Sequence, residues 1–148
     1  MSDEATIRSS LLVRKVVDDV LVLNYQSQPV AFVADVDGTK GPTPGAITVS
    51  KFGTDVDLSQ LTTPGLCRIM NMSSSGYIEY GIYDPDSPAQ FIPLGEMLPG
   101  ETFVLRLSRF LGSQLGTGSG TAVTGSGARL RLKAVPNAST ALVEAFEK

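Results

Sequence analysis

The sequence predicts an all-β protein, an antiparallel and jelly-roll-like β-sandwich with extended loops and termini. Two observations carry this expectation. Apolar and polar residues alternate in short runs, the period-2 mark of a strand with one buried face. The chain is also punctuated by 15 glycines and 9 prolines in 148 residues, which keeps those runs short. Many short strands separated by Gly/Pro turns point to a sandwich or barrel. By length the chain reads as a single β-sandwich domain over 1–148, burying roughly two thirds of its extended surface.

Near the amino terminus, Ile7, Leu11, Val13 and Val17 fall on one face of an extended chain, with Arg8, Ser10 and Arg14 on the other. A helix over 6–17 competes, but the β-branched content favours strand. Asp18 and Asp19 then make a turn, 20–25 a second strand, 26–29 another turn and 30–33 another strand. Residues 35–44, DVDGTKGPTP, read as a loop on composition. Ile47 and Val49 alternate with Thr48 and Ser50, and 57–64 forms a loop or one short helical turn. A strand-like run through Cys67 follows. In the next, Ile78, Tyr80 and Ile82 alternate with Tyr77, Glu79, Gly81 and Tyr83. A Pro-rich bend leads to Pro99-Gly100, where a type II turn would give Gly100 a positive backbone angle. Phe103, Leu105 and Leu107 alternate with Val104 and Arg106, and Leu130 and Leu132 with Arg129, Arg131 and Lys133. The expected core is therefore Ile78, Tyr80, Ile82, Phe103, Leu105, Leu107, Leu130 and Leu132.

Two segments leave alternatives open. Residues 112–127, GSQLGTGSGTAVTGSG, are a Gly-rich loop that cannot offset its own ordering entropy, so it either leans on a neighbour or stays flexible. In 139–148, Ala141, Leu142, Glu144, Ala145 and Glu147 are good helix formers that Asn137 or Ser139 could cap.

Composition argues against several function classes. With 12 basic and 15 acidic residues scattered in ones and twos, no basic stripe exists to neutralise phosphates, so nucleic-acid binding is not expected. The longest apolar runs, such as 20–23, fall far below the ~18 residues of a membrane span. The acidic start, Met-Ser-Asp-Glu-Ala, lacks a secretory layout, so the chain is expected to be made in a reducing cytoplasm. There is no histidine, which removes imidazole-based dyads and triads and the commonest metal ligand. Cys67 is the single cysteine and reads as a small buried hydrophobe. No enzymatic activity, cofactor or metal is expected.

The remaining candidates each have a bland reading. Asp35-Val-Asp37-Gly38 places two carboxylates before a glycine, but the glycine comes at the fourth position and Ala46 stands at the twelfth, so a solvated turn is preferred over an EF-hand loop. Asp84, Asp86, Glu96 and Glu101 could in principle supply paired carboxylates, yet the two aspartates sit between turn-forming prolines. Asn71-Met-Ser73 and Asn137-Ala-Ser139 match the glycosylation acceptor pattern, which carries no weight without a secretory signal. Tyr77 and Tyr83, on the strand face opposite Ile78, suit a protein interface or sugar stacking as well as ordinary cross-strand packing.

The stretch 66–107 has a recognisable order. Arg68 and Asn71 end one strand; Tyr77, Ile78, Glu79 and Gly81 form the next. Leu98, Pro99, Gly100 and Glu101 make a turn into a strand ending at Arg106 and Leu107. This order resembles small β-rich structural proteins from the virion-building clusters of tailed bacteriophages. The resemblance implies a virion structural protein, first a capsid cement or decoration protein, with a tail, collar or fibre-base component as the alternative. It also implies a homo-oligomer, a trimer before other states, bound to the major capsid protein or to tail subunits. It places a closing strand at 139–148, with Leu142 and Phe146 on one face. Interface residues are then expected at Tyr77, Tyr83, Gln114, Leu115 and Val123. The alternative from another class is a carbohydrate-binding module on a receptor-binding fibre, using the tyrosine face.

Overall fold

A computed structural model describes residues 4–35, 40–85, 89–108, 111 and 128–148. The contacts group the chain into two compact units, Met1–Val36 and Asp37–Lys148. The Gly-rich loop, with Gln114, Leu115 and Val123, lies outside the described residues, as do Asp37, Gly38 and Asp86.

The first unit is a two-stranded antiparallel ribbon. β1 (Glu4–Ser9) pairs with β4 (Val30–Asp35), and β2 (Leu12–Val17) with β3 (Val20–Gln26). The turn expected at Asp18-Asp19 is present, with positive φ at both residues (49° and 62°). That is the backbone a two-residue type I′ hairpin requires, and aspartate tolerates it better than most residues. The turn expected at 26–29 does not reverse the chain. Residues 10–11 and 27–29 instead face each other as an interruption in one continuous ribbon. Leu11 N donates to Ser27 Oγ at 2.7 Å, and Ser27 N donates to Leu11 O at 2.8 Å. Neither face of the ribbon is buried: Leu11, Val17, Leu23 and Phe32 all stand about half exposed. Two strands alone have no second layer to cover a face, so alternation here does not yield a core.

The second unit holds the sandwich. Its strands are β5 (Thr43–Val49), β6 (Thr54–Asp55), β7 (Pro64–Asn71), β8 (Tyr77–Asp84), β9 (Gln90–Met97), β10 (Thr102–Arg106), β11 (Arg129–Val135) and β12 (Ser139–Glu147). One sheet has the order β10-β7-β12-β5 and the other β6-β11-β8-β9, with every neighbouring pair antiparallel. From β5 to β12 each connection crosses between sheets except the β8–β9 hairpin.

Burial follows the alternation read from the sequence. Leu130, Leu132 and Ala134 of β11 face Ala141, Val143 and Ala145 of β12 across a core that also takes Val49, Cys67, Ile69 and Ile78. Segment 139–148 is a strand, and a central one, paired on both sides. Its helix formers lose to position: Ala141, Val143 and Ala145 are small enough to sit on the inner face between two partner strands. Leu142 and Phe146 do share a face, the outer one. With Pro64 already opening β7, segment 57–63 has no regular structure beyond the turn closed by Leu61 N donating to Leu58 O at 3.0 Å. It carries Leu58 and Leu61 into the core. Glu147 is buried too, accepting from Thr62 N at 2.9 Å with Lys40 at 3.8 Å.

Three expectations need correction. The Pro-rich stretch contains a strand, β9, at the edge of its sheet. An edge tolerates Pro93, whose missing N–H would have broken a ladder in the sheet interior. The loop expected at 35–44 ends early, because β5 already begins at Thr43. Phe103 is 40% exposed rather than buried; its ring stacks on Tyr80 of the other sheet, centroids 5.0 Å apart. β10 is also an edge strand, so its outer end has no further neighbour to cover it. Tyr80, Ile82 and Leu105 pack on the core while only partly buried.

Truncation separates the two environments. Leu132→Ala empties a fully buried site and should cost about 2–5 kcal/mol in urea unfolding, with Leu105→Ala costing clearly less. Equal losses would reverse the depth assigned to these two positions.

Candidate functional site

Among the residues that carry the sequence resemblance, Asn71 and the Leu98–Glu101 turn meet at one corner of the sandwich. Asn71 ends β7 on the inner face and is completely buried. Its Nδ2 donates to Met97 O at 2.9 Å, and its Oδ1 accepts from Ser73 N at 3.0 Å and Ser73 Oγ at 2.6 Å. Its backbone N donates to Glu101 O at 3.0 Å and its carbonyl accepts from Gly100 N at 2.9 Å. The Leu98–Glu101 turn is closed by Glu101 N donating to Leu98 O at 3.0 Å, and Leu98 N donates to Glu101 Oε2 at 2.8 Å. Gly100 has φ +81°, the value a type II turn demands at its third residue. Since β9 and β10 lie in different sheets, this turn is where the chain crosses, and Asn71 ties the crossing down. Gly81 has a packing role: a Cβ there would collide with the Ile92 carbonyl, at the place where β9 slips register opposite Tyr80 and Gly81. Arg68 pairs with Glu144 across the β7–β12 register at 2.5 Å.

The outer face of the second sheet carries an ordered polar group. Outward Arg129 and Arg131 alternate with inward Leu130 and Leu132, and both reach Asp55 on β6, at 3.2 and 2.5 Å. Burial alone would push the Asp55 carboxyl up, but hydrogen bonds and charge from Arg131 and Arg129 outweigh it and hold the group below the usual aspartate range. The Arg131 guanidinium lies 3.2 Å from the Tyr83 ring centroid, a cation–π stack. Lys133 and Glu79 pair beside it at 3.5 Å. Tyr77 and Tyr83 thus share the outer face, as expected, but they stand six residues apart along β8, about 20 Å at ~3.3 Å per residue. One ring face of Tyr83 is already covered by Arg131. Tyr80 points the other way, onto Phe103.

A polar cleft of about 590 Å³ lies between residues 72–76 and 136–140, lined by Ser73, Ser74, Ser75, Asn137, Ser139 and Thr140. Both glycosylation-pattern triplets end there, yet the Asn71 amide is buried and engaged. Of the expected carboxylates, Asp86 lies outside the described residues, and Asp84, Glu96 and Glu101 do not converge as a catalytic pair. Glu96 lies opposite Glu79, five residues along β8 from Asp84. That separation is about 17 Å, beyond the ~5–9.5 Å of paired glycosidase carboxylates. Glu101 is bound into its turn. Among the described residues, no three or more His, Cys, Asp or Glu groups are placed to hold a metal. Cys67 is buried and its thiol is pushed up to about 12 by burial and by the nearby Glu144 charge, far from a reactive thiolate.

The third surface is the ribbon, where most of the exposed large apolar side chains among the described residues are found. Sequence reasoning read its strands but did not single out their exposed apolar surface. The signal that could have corrected this is the run 20–34, VLVLNYQSQPVAFVA, which contains no charge at all. The Asp55–Arg129–Arg131 group was also missed, because its members lie 74 and 76 residues apart and only the sheet register joins them. No family model, curated protein or solved structure matches the chain.

Two substitutions probe these features. Asn71→Ala leaves the Met97 carbonyl and the Ser73 donors without their buried partner, and should cost at least about 1–3 kcal/mol in chemical unfolding. Asp55→Asn should show a pH signature. A carboxylate whose folded pKa is depressed contributes stability that is present above its unfolded pKa and lost as pH falls through the folded one. Wild type should therefore exceed the variant fully at pH 7, and the gap should narrow below about pH 4. A gap independent of pH across urea titrations from pH 7 to 2 would show that Asp55 is not held as a carboxylate by the arginines.

Proposed function

We propose that this chain is a non-enzymatic structural subunit of a tailed-bacteriophage virion, a capsid cement or decoration protein that stabilises the shell through subunit contacts. The observation that carries this reading is the amino-terminal ribbon, whose large apolar side chains stand about half exposed on both strands. Monomeric proteins rarely expose contiguous apolar area beyond a few hundred Å², and larger patches mark interaction sites. Two further points support it. Of the residues behind the phage resemblance, Asn71, Gly100 and Glu101 are bonded at one corner, which is consistent with their forming one structural unit. The alternation of strands between the two sheets, broken only at β8–β9, is what we read as a jelly-roll-like sandwich.

In this reading the protein is made in the host cytoplasm, acts as a homo-oligomer and binds the major capsid protein. The tail, collar or fibre-base reading shares the same surface and differs in the partner lattice. The glycan-binding reading draws less support, because Arg131 occupies a face of Tyr83 and Tyr77 lies far from it.

Particle fractionation tests the proposal. The chain should be found with purified heads, and particles lacking it should release DNA at a lower temperature than complete ones. Recovery with tails alone would move the assignment to the tail. Absence from particles together with glycan binding by the purified protein would overturn the structural reading.

A further inference from the structure

The ribbon has a feature that goes beyond an apolar surface: it is a sheet with two open edges. Each of its strands is paired on one side only, so both long edges present free N–H and C=O groups. Long apolar edges of this kind template pairing with another strand unless they are covered. A two-stranded ribbon is also marginal alone in water. Side chains such as Val20, Val22, Leu23, Tyr25, Phe32 and Val33 are each about half exposed on the return strand.

The charges are distributed unevenly between the edges. Between residues 5 and 17 the outgoing strand carries Arg8, Arg14 and Lys15, whereas 20–34 carries no charge. Pairing two outgoing edges would set cations beside cations. Pairing two return edges would leave both outgoing edges open. Pairing the outgoing edge of one copy with the return edge of the next avoids both faults, keeps every pair antiparallel when the ribbons point the same way, and closes into a ring without a free edge. The area suffices: the half-exposed large side chains of one ribbon offer on the order of 1,000 Å², where a standard interface takes about 800 Å² from each partner.

We propose that the ribbon is a homotypic assembly arm, in which β1–β2 of one copy pairs along β3–β4 of a second copy of this chain to close a ring of ribbons. This deepens the assembly reading above by naming the ribbon's partner. Such a ring brings the Asp18-Asp19 tips together, so salt screening should tighten it.

The full-length protein tests this by native mass spectrometry and sedimentation at micromolar concentration. The expected result is a discrete closed oligomer, favoured as salt rises. The double variant Leu23→Asp/Phe32→Asp should be monomeric and should keep the sandwich's urea midpoint. Phe52→Asp, at an exposed sandwich position (82%), should leave the oligomer intact. Amide exchange over 20–34 should be at least tenfold slower in wild type than in the monomeric variant. A monomeric wild type, or a double variant that holds the same oligomer, overturns the proposal. Its failure is separable from that of the virion reading. A monomer that still fractionates with heads sinks only the arm, and an oligomer never found with particles sinks only the virion role.

Discussion

The sandwich depends on how Asn71 holds the crossing between its two sheets. β9 ends in one sheet and β10 begins in the other, with only the 98–101 turn between them. A turn passing over the end of a core must satisfy its own backbone groups without a ladder. Asn71 does this from the end of β7, bonding Met97, Gly100 and Glu101 with side chain and backbone together. Because β7 pairs with β10 and β12, the same residue ends β7 beside the first residues of β10 and β12. Its buried amide has partners on both its nitrogen and its oxygen, which is what makes a fully buried polar group compatible with an apolar core.

The two units solve the burial problem differently. The sandwich covers its own apolar face, because each sheet supplies the layer the other needs. The small inner residues of β12 let it sit between β5 and β7 with Leu130 and Leu132 opposite. The ribbon has no second layer, and its return strand has no charged face over 20–34. That difference separates a body that covers its own apolar face from a part whose apolar side chains stay exposed, and it is the physical basis for proposing the chain as an assembly component.

Electrostatics has a narrower role. The Asp55 group fastens the short strand β6 to β11 at a part-buried site, where two guanidinium partners outweigh the desolvation of one carboxylate. Arg131 serves twice, as ion-pair partner and as the cover over Tyr83. A tyrosine that looks free in a strand alternation is therefore already partnered. Arg68–Glu144 and Lys133–Glu79 are more exposed cross-strand pairs, and pairs of that kind contribute little each.

Local chemistry was legible wherever a residue's own conformational preference decided the matter. The Asp18-Asp19 hairpin, the Pro99-Gly100 turn and the inward set Ile78, Leu130 and Leu132 all follow from backbone preference and period-2 patterning, which act within a few residues. What the sequence by itself determined, then, is an all-β chain, its turns at Asp18-Asp19 and Pro99-Gly100, and most of which side of each sandwich strand is apolar. Tertiary structure alone decided the rest. It made β9 an edge where Pro93 is harmless, made 139–147 a central strand despite its helix formers, and left Phe103 half open at the end of β10. It also joined Asn71 to Gly100, and Asp55 to Arg129 and Arg131. These outcomes turn on which strand lies beside which, and a strand's neighbours are set by pairing across the sheet rather than by the residues next to it in the chain.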